Sequence, residues 1–145
     1  MCIRDRYISA SENVNWVLNI RGKDLPNSPL VNCKLIISND GKLVLICASD
    51  DDRVEVRDVE TMKLKYILPS GPDPELMVLS PDDSVLYIAN EDDAMVTVVD
   101  MADKMIIDDI PVGVEPEGMG LTNNGKILVN TSETTNMAHF INAET

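Results

Sequence analysis

The chain has 145 residues, a length that holds one ordinary domain, and 44% of them are apolar, enough for a core. Only 3% are aromatic, so that core has to be built from Val, Ile, Leu and Met. The formal net charge of -13, with a pI near 4.2, argues against nucleic acid and anionic membranes as partners, because neutralising phosphates takes clustered Lys and Arg. Cys2, Cys33 and Cys47 are odd in number and show no CxxC spacing, which indicates neither a disulfide framework nor a zinc site. No stretch approaches the roughly 18 uninterrupted apolar residues of a membrane helix.

Residues 1–6, MCIRDR, are followed by no apolar run of the length a secretory signal requires. Back-translated, they fit ATG TGT ATA AGA GAC AGR, which resembles the transposon end used to tag DNA for sequencing, so they are read as an adapter-derived leader outside the fold. Residues 7–34 come next. NWVLNIRG reads as a strand ending at a glycine turn and DLPNSP as a loop punctuated by two prolines. Through Asn15, Trp16, Leu18, Asn19, Ile20, Arg21, Gly22, Asp24, Pro26 and Pro29 this piece resembles the amino-terminal, non-catalytic domain of the Xaa-Pro aminopeptidase and creatinase family. That family works through a two-metal carboxylate and histidine site in its carboxy-terminal domain, so the resemblance implies no peptidase activity here.

From about Leu35 the chain reads as copies of one unit. Pro69 and Pro111, Gly71 and Gly113, Pro74 and Pro116, Glu75 and Glu117, Met77 and Met119, and Leu79 and Leu121 are each 42 positions apart. The same offset superposes SNDGKLVLICASDDDRVEVRD, SPDDSVLYIANEDDAMVTVVD and TNNGKILVNTSETTNMAHFIN without a gap. In the middle copy LMVLS (76–80), VLYIAN (85–90), MVTVVD (95–100) and KMIIDDI (104–110) read as four strands, the third alternating in the period of a half-buried strand. Helical repeats of similar length need helix-period apolar faces, whereas these runs are β-branched and bounded by turn residues. The expected fold is all-β, an incomplete β-propeller of about two and three-quarter four-stranded antiparallel blades, at about 35–68, 76–110 and 118–145.

The superposition also assigns faces. Val54, Val96 and Ala138 share one strand position and Val56, Val98 and Phe140 another, so both sets are expected in the same inter-sheet layer. Glu55, Thr97 and His139 fall between them, and His139 reads as an exposed strand residue rather than a ligand, since no partner has metal-type spacing. Asp50–Asp52 and Glu91–Asp93 occupy the turn between second and third strands, where carboxylates commonly satisfy local amides; calcium is the less favoured alternative.

GPDPE (71–75) and GVEPE (113–117) link the outer strand of one blade to the inner strand of the next. Glycine is expected there for a backbone shape other residues resist, proline for its fixed φ. Glu75 and Glu117 then stand near the mouth of the central channel as candidate binding residues, with capping of nearby amides as the alternative. No catalytic, cofactor-binding or metal-ligating residue is assigned, because no nucleophile–base pair or metal cluster is present in the pattern.

LYIAN followed by VTVVD resembles the YVTN-type β-propeller repeat. LPSGPDPE, IANEDD, IPVGVEPEGM and NTSETTNMAHFI are similar to propellers associated with pyrroloquinoline-quinone-dependent catabolism, over about residues 35–145. The resemblance implies a secreted or periplasmic bacterial protein, accessory to quinoprotein alcohol oxidation, with no established catalytic residue and no cofactor of its own. It implies a small-molecule or periplasmic redox-protein partner, and neither nucleic acid nor membrane. The alternative is a fragment of a propeller enzyme, a quinoprotein dehydrogenase subunit or lactonase, or a non-catalytic piece of an Xaa-Pro aminopeptidase. Two blades and three strands cannot close a ring, so open blade faces, that of the first blade included, and self-association are expected. A join of two unrelated genes near residues 33–38 accounts for the change of pattern.

Overall fold

The computed structural model describes residues 7–9, 15–17 and 35–144. The leader at residues 1–6 and most of the aminopeptidase-like stretch lie outside the described residues. Two short strands from that region, β1 (Tyr7–Ser9) and β2 (Asn15–Val17), pair antiparallel.

Residues 35–144 are all β apart from one 3-10 turn at Ser49–Asp51. The first sheet runs β3 (Leu35–Ile37), β4 (Leu43–Ala48), β5 (Arg53–Asp58), β6 (Leu64–Pro69). The second runs β7 (Pro74–Leu79), β8 (Val85–Asn90), β9 (Met95–Asp100), β10 (Met105–Pro111). The third has β11 (Pro116–Leu121), β12 (Ile127–Ser132) and β13 (Met137–Asn142). In each sheet the strands neighbour one another in chain order, all pairs antiparallel. The first strand of each sheet is its inner edge, and β7 packs between β3 and β11. The architecture is an open, incomplete β-propeller.

The repeat extends to the backbone. Positive φ recurs at the 42-residue offset: Gly41, Asp83 and Gly125; Asp52, Ala94 and Asn136; Met62 and Lys104; Asp73 and Glu115. So do the irregularities of pairing. Glu75 is the extra residue where Pro74 pairs with Asn90 and Leu76 with Ala89, and Glu117 is the extra residue between the pairs Pro116 with Ser132 and Gly118 with Thr131. Each is a β-bulge, a device that re-aims a side chain.

Two apolar layers hold the stack. Between the first and second sheets, Leu45, Cys47, Val54, Val56 and Leu68 meet Met77, Leu86, Ile88 and Val99. Between the second and third, Tyr87, Val96 and Val98 meet Leu128, with Ile110, Met119 and Ile141 packed alongside. This is the layer expected for the Val54/Val96 and Val56/Val98 positions. The third copy departs from it: Ala138 is exposed and Phe140 is 75% exposed, because no further sheet stacks on that face among the described residues.

Two further expectations are corrected. The other face of the first sheet is not open, since Val44, Ile46 and Ala48 are buried there alongside the ion-paired Glu55 and Arg57. Gly71 and Gly113 do not adopt positive φ. A side chain is excluded at each by contact: a Cβ on Gly71 would lie 2.6 Å from Asn90 Nδ2 and 2.8 Å from Asp93 Oδ2, and one on Gly113 would meet Ser132 and Thr135.

Candidate functional site: an acidic mouth on the inner strands

The sequence placed Glu75 and Glu117 at the channel mouth. The structure sets Glu75 on β7 and Glu117 on β11, neighbouring inner strands, each in its bulge. Glu75 is buried and Glu117 exposed; among the described residues β7 has an inner strand on either side and β11 on one side alone.

Glu75 is one of three carboxylates that converge. Asp73, Glu75 and Glu91 offer oxygens that all lie within 4.8 Å of one another, a spacing that a hard, oxygen-liganded cation such as calcium could bridge. Local structure fixes each. Asp73 sits in the left-handed region at φ 48, its amide donating to Asp52 Oδ1 at 3.1 Å and its carbonyl accepting from the Glu91 amide at 2.9 Å. Ser49 Oγ donates to the Pro74 carbonyl at 2.8 Å, tying the bulge to the preceding sheet.

The triad recurs in the next sheet as Glu115, Glu117 and Glu133, each 42 positions on. The supporting hydrogen bond recurs too, Glu133 N to Glu115 O at 2.9 Å, and the Thr134 hydroxyl donates to the Glu115 carboxylate. Electrostatically the two triads form one patch. Burial pushes the Glu91 carboxyl above the usual range, and the charges of Glu75, Asp73, Glu115 and Glu117 push it further. Asp73 is raised by burial and by Glu75, against a lowering hydrogen bond from Ser49. Glu133 is raised mainly by its hydrogen bond with Glu117, and further by the charge of Glu117.

Sequence reasoning named two of these six residues. The signal for the others was in the same register, since 73, 75 and 91 superpose on 115, 117 and 133. The turn reading gave Glu91 to local capping with calcium as the less favoured alternative, and Glu91 belongs to the acidic patch; Asp93 does cap, accepting from the Met95 amide at 3.1 Å.

His139 is not the exposed strand residue expected. It is half-buried, and its Nε2 is a buried atom with no hydrogen-bond partner among the described residues. Its strand position faces the preceding sheet and not solvent, as the buried, hydrogen-bonded Thr97 shows one blade earlier.

A family model described as Creatinase/Prolidase N-terminal domain matches residues 6–139. The match continues far beyond residues 7–35, where the sequence resemblance was read, and takes in the repeats. No curated protein matches the chain in sequence. Among solved structures the chain is similar to hydrazine synthase of Kuenenia stuttgartiensis, with 26% identity and a TM-score of 0.71 over 74% of this chain and 31% of that one. It is also similar to a functionally unknown protein of Desulfotomaculum acetoxidans, with 15% identity and a TM-score of 0.63 over 77% of this chain and 41% of that one. The chain thus spans well under half the length of either.

Proposed function

Because the chain belongs to the Creatinase/Prolidase N-terminal domain family, we propose that it is a non-enzymatic binding module whose acidic mouth receives a cationic group of a protein or small-molecule partner. The carrying observation is the pair of carboxylate triads, Asp73/Glu75/Glu91 and Glu115/Glu117/Glu133, gathered at the ends of the first two strands of neighbouring sheets. Carboxylates gathered this closely repel one another, and a bound cation relieves that repulsion. Steering by a net charge of -13 speeds the arrival of a basic partner.

The likeness of LPSGPDPE, IANEDD, IPVGVEPEGM and NTSETTNMAHFI to quinoprotein-associated propellers supports a periplasmic accessory role beside redox proteins of alcohol catabolism. A second reading, the non-catalytic piece of an Xaa-Pro aminopeptidase, is favoured by the family match. Both readings expect no release of the amino-terminal residue from an Xaa-Pro peptide, with or without added divalent metal. Turnover by purified chain would remove both.

Tetralysine at low salt is a suitable probe of the mouth. Binding should weaken about tenfold in Glu75→Gln/Glu117→Gln, and should be retained in Asp103→Asn/Asp108→Asn, which removes the same charge from the outer edge of the second sheet. Equal loss in the two variants would reduce the mouth to a share of general surface charge.

A further inference from the structure

A cavity of about 300 Å³ opens between the first and second sheets, at the strand ends remote from the acidic mouth. β7 fixes the separation: Glu75, near its start, belongs to the mouth, and Leu79, at its end, lines the cavity. Leu43, Tyr66, Leu79 and Met101 make the lining mainly apolar, and Asp40 and Asp83 bring carboxylates to it. Small-molecule sites have this make-up, apolar walls with a few placed polar groups, and this volume is at the small end of their range.

The turns that carry the two carboxylates hold them in place. Asp83 Oδ1 accepts from the Asn39 amide at 3.0 Å and from Asn39 Nδ2 at 2.7 Å, fastening the first turn of one sheet to that of the next. Asp40 accepts from Ser38 Oγ at 2.7 Å and from the Lys42 amide at 3.0 Å. Its ion pair with Lys42 Nζ at 3.0 Å is exposed, so water and other cations compete for it. Lys104 Nζ stands 5.0 Å from the centroid of the Tyr66 ring, within cation–π range, so the surroundings of that ring already favour an ammonium.

The repeat shows that this lining is not a general property of the stacked sheets. At the equivalent positions of the next interval Asp40 and Leu79 are matched by Asp82 and Leu121, but Tyr66 is replaced by Asp108, Asp83 by Gly125 and Met101 by Ala143. The frame of the turns is shared, whereas the ring, the thioether and the second carboxylate are particular to the first pair of sheets.

We propose that this cavity binds a small arylalkylammonium ligand, with its apolar body against Leu43, Leu79 and Met101 and its ammonium toward Asp40, Asp83 and the Tyr66 ring. Methionine sulfur makes favourable contacts with aromatic rings, which selects an aryl body. The ammonium takes over contacts that the exposed Lys42 and Lys104 now make, and an anionic ligand is repelled by both carboxylates. The site is separate from the acidic mouth and does not rest on what the mouth binds.

The probe is phenethylamine, titrated into the full chain carrying isotope-labelled methyl groups. Saturable shifts are expected at the methyl resonances of Leu43, Leu79 and Met101. Phenethyl alcohol, the same body without the charge, should shift the same methyls with about tenfold weaker affinity. In Tyr66→Leu the preference for amine over alcohol should shrink about fivefold. Each preference is a ratio taken on one protein, so a variant's loss of stability does not enter it, and the ratio on the unaltered chain decides by itself. Absence of shifts at these methyls, or equal affinity of amine and alcohol, overturns the proposal. So do shifts gathered around Glu75 and Glu117 instead, which would give the amine to the mouth.

Discussion

Ala94 is the residue that the repeat marks as ill-suited to its place. It adopts φ 55, and its counterparts at that position are Asp52 and Asn136, residue types that tolerate the left-handed region. Replacing Ala94 by Gly or Asn is expected to raise stability by about 0.5–1 kcal/mol, read as a higher urea midpoint at unchanged slope. Gly71 shows the opposite constraint. Gly71→Ala drives a Cβ against Asn90 and Asp93, so a loss of about 1–3 kcal/mol is expected in the same measurement. That Gly71 and Gly113 matter was legible in the spacing, but the reason was not. Backbone freedom is a local property and can be guessed from a motif, whereas close approach by a side chain on β8 or β12 depends on how the sheet pairs.

At the scale of strands and sheets, the apolar alternation of VLYIAN and MVTVVD made the elements legible, and the 42-residue offset set their order. What it could not show is where the periodicity stops meaning burial. Val56, Val98 and Phe140 share one position, yet the first two are buried and the third is exposed, because burial comes from the next sheet and not from the residue's own strand. The energetic consequence is a contrast between equivalent sites. Val98→Ala is expected to cost about 1–3 kcal/mol through lost burial and a cavity, and Phe140→Ala less than about 0.5 kcal/mol. Comparable losses at the two positions would mean that Phe140 is covered in solution. The bulges at Glu75 and Glu117 were likewise invisible beforehand: each adds one unpaired residue to an otherwise regular ladder, and only the observed register reveals it.

For the whole molecule, the net charge of -13 was plain from composition, but its division into opposing groups needed the stack. One group consists of carboxylates whose charged form the fold disfavours. Asp73, Glu91 and Asp93 are raised by burial first, with neighbouring acids adding to it. The other group sits in turns. Asp40 is lowered to about 2 by hydrogen bonds from Ser38 and Lys42, and Asp82 to about 2 by hydrogen bonds from Ser80 and Ser84. The third copy of that turn has Asn124, held by Thr122 in the same way but without a titrating group. The linkage signs are opposite. A raised carboxyl binds its proton more readily folded than unfolded, so its penalty is present at neutral pH and withdrawn as pH falls through its folded value. A lowered carboxyl stabilises above its unfolded value, and that contribution is lost as pH falls toward 2. As pH falls, withdrawal of the first group's penalty is therefore expected to raise stability before loss of the second group's contribution, as pH approaches 2, lowers it. Urea midpoints measured in steps from neutral pH down toward 2 check the shape. Glu91→Gln should flatten the initial rise without altering the acid limb, and Asp40→Asn with Asp82→Asn should soften the acid limb without altering the rise. A monotonic fall from pH 7 downward would show that the carboxylates of the mouth do not repel one another as their positions require.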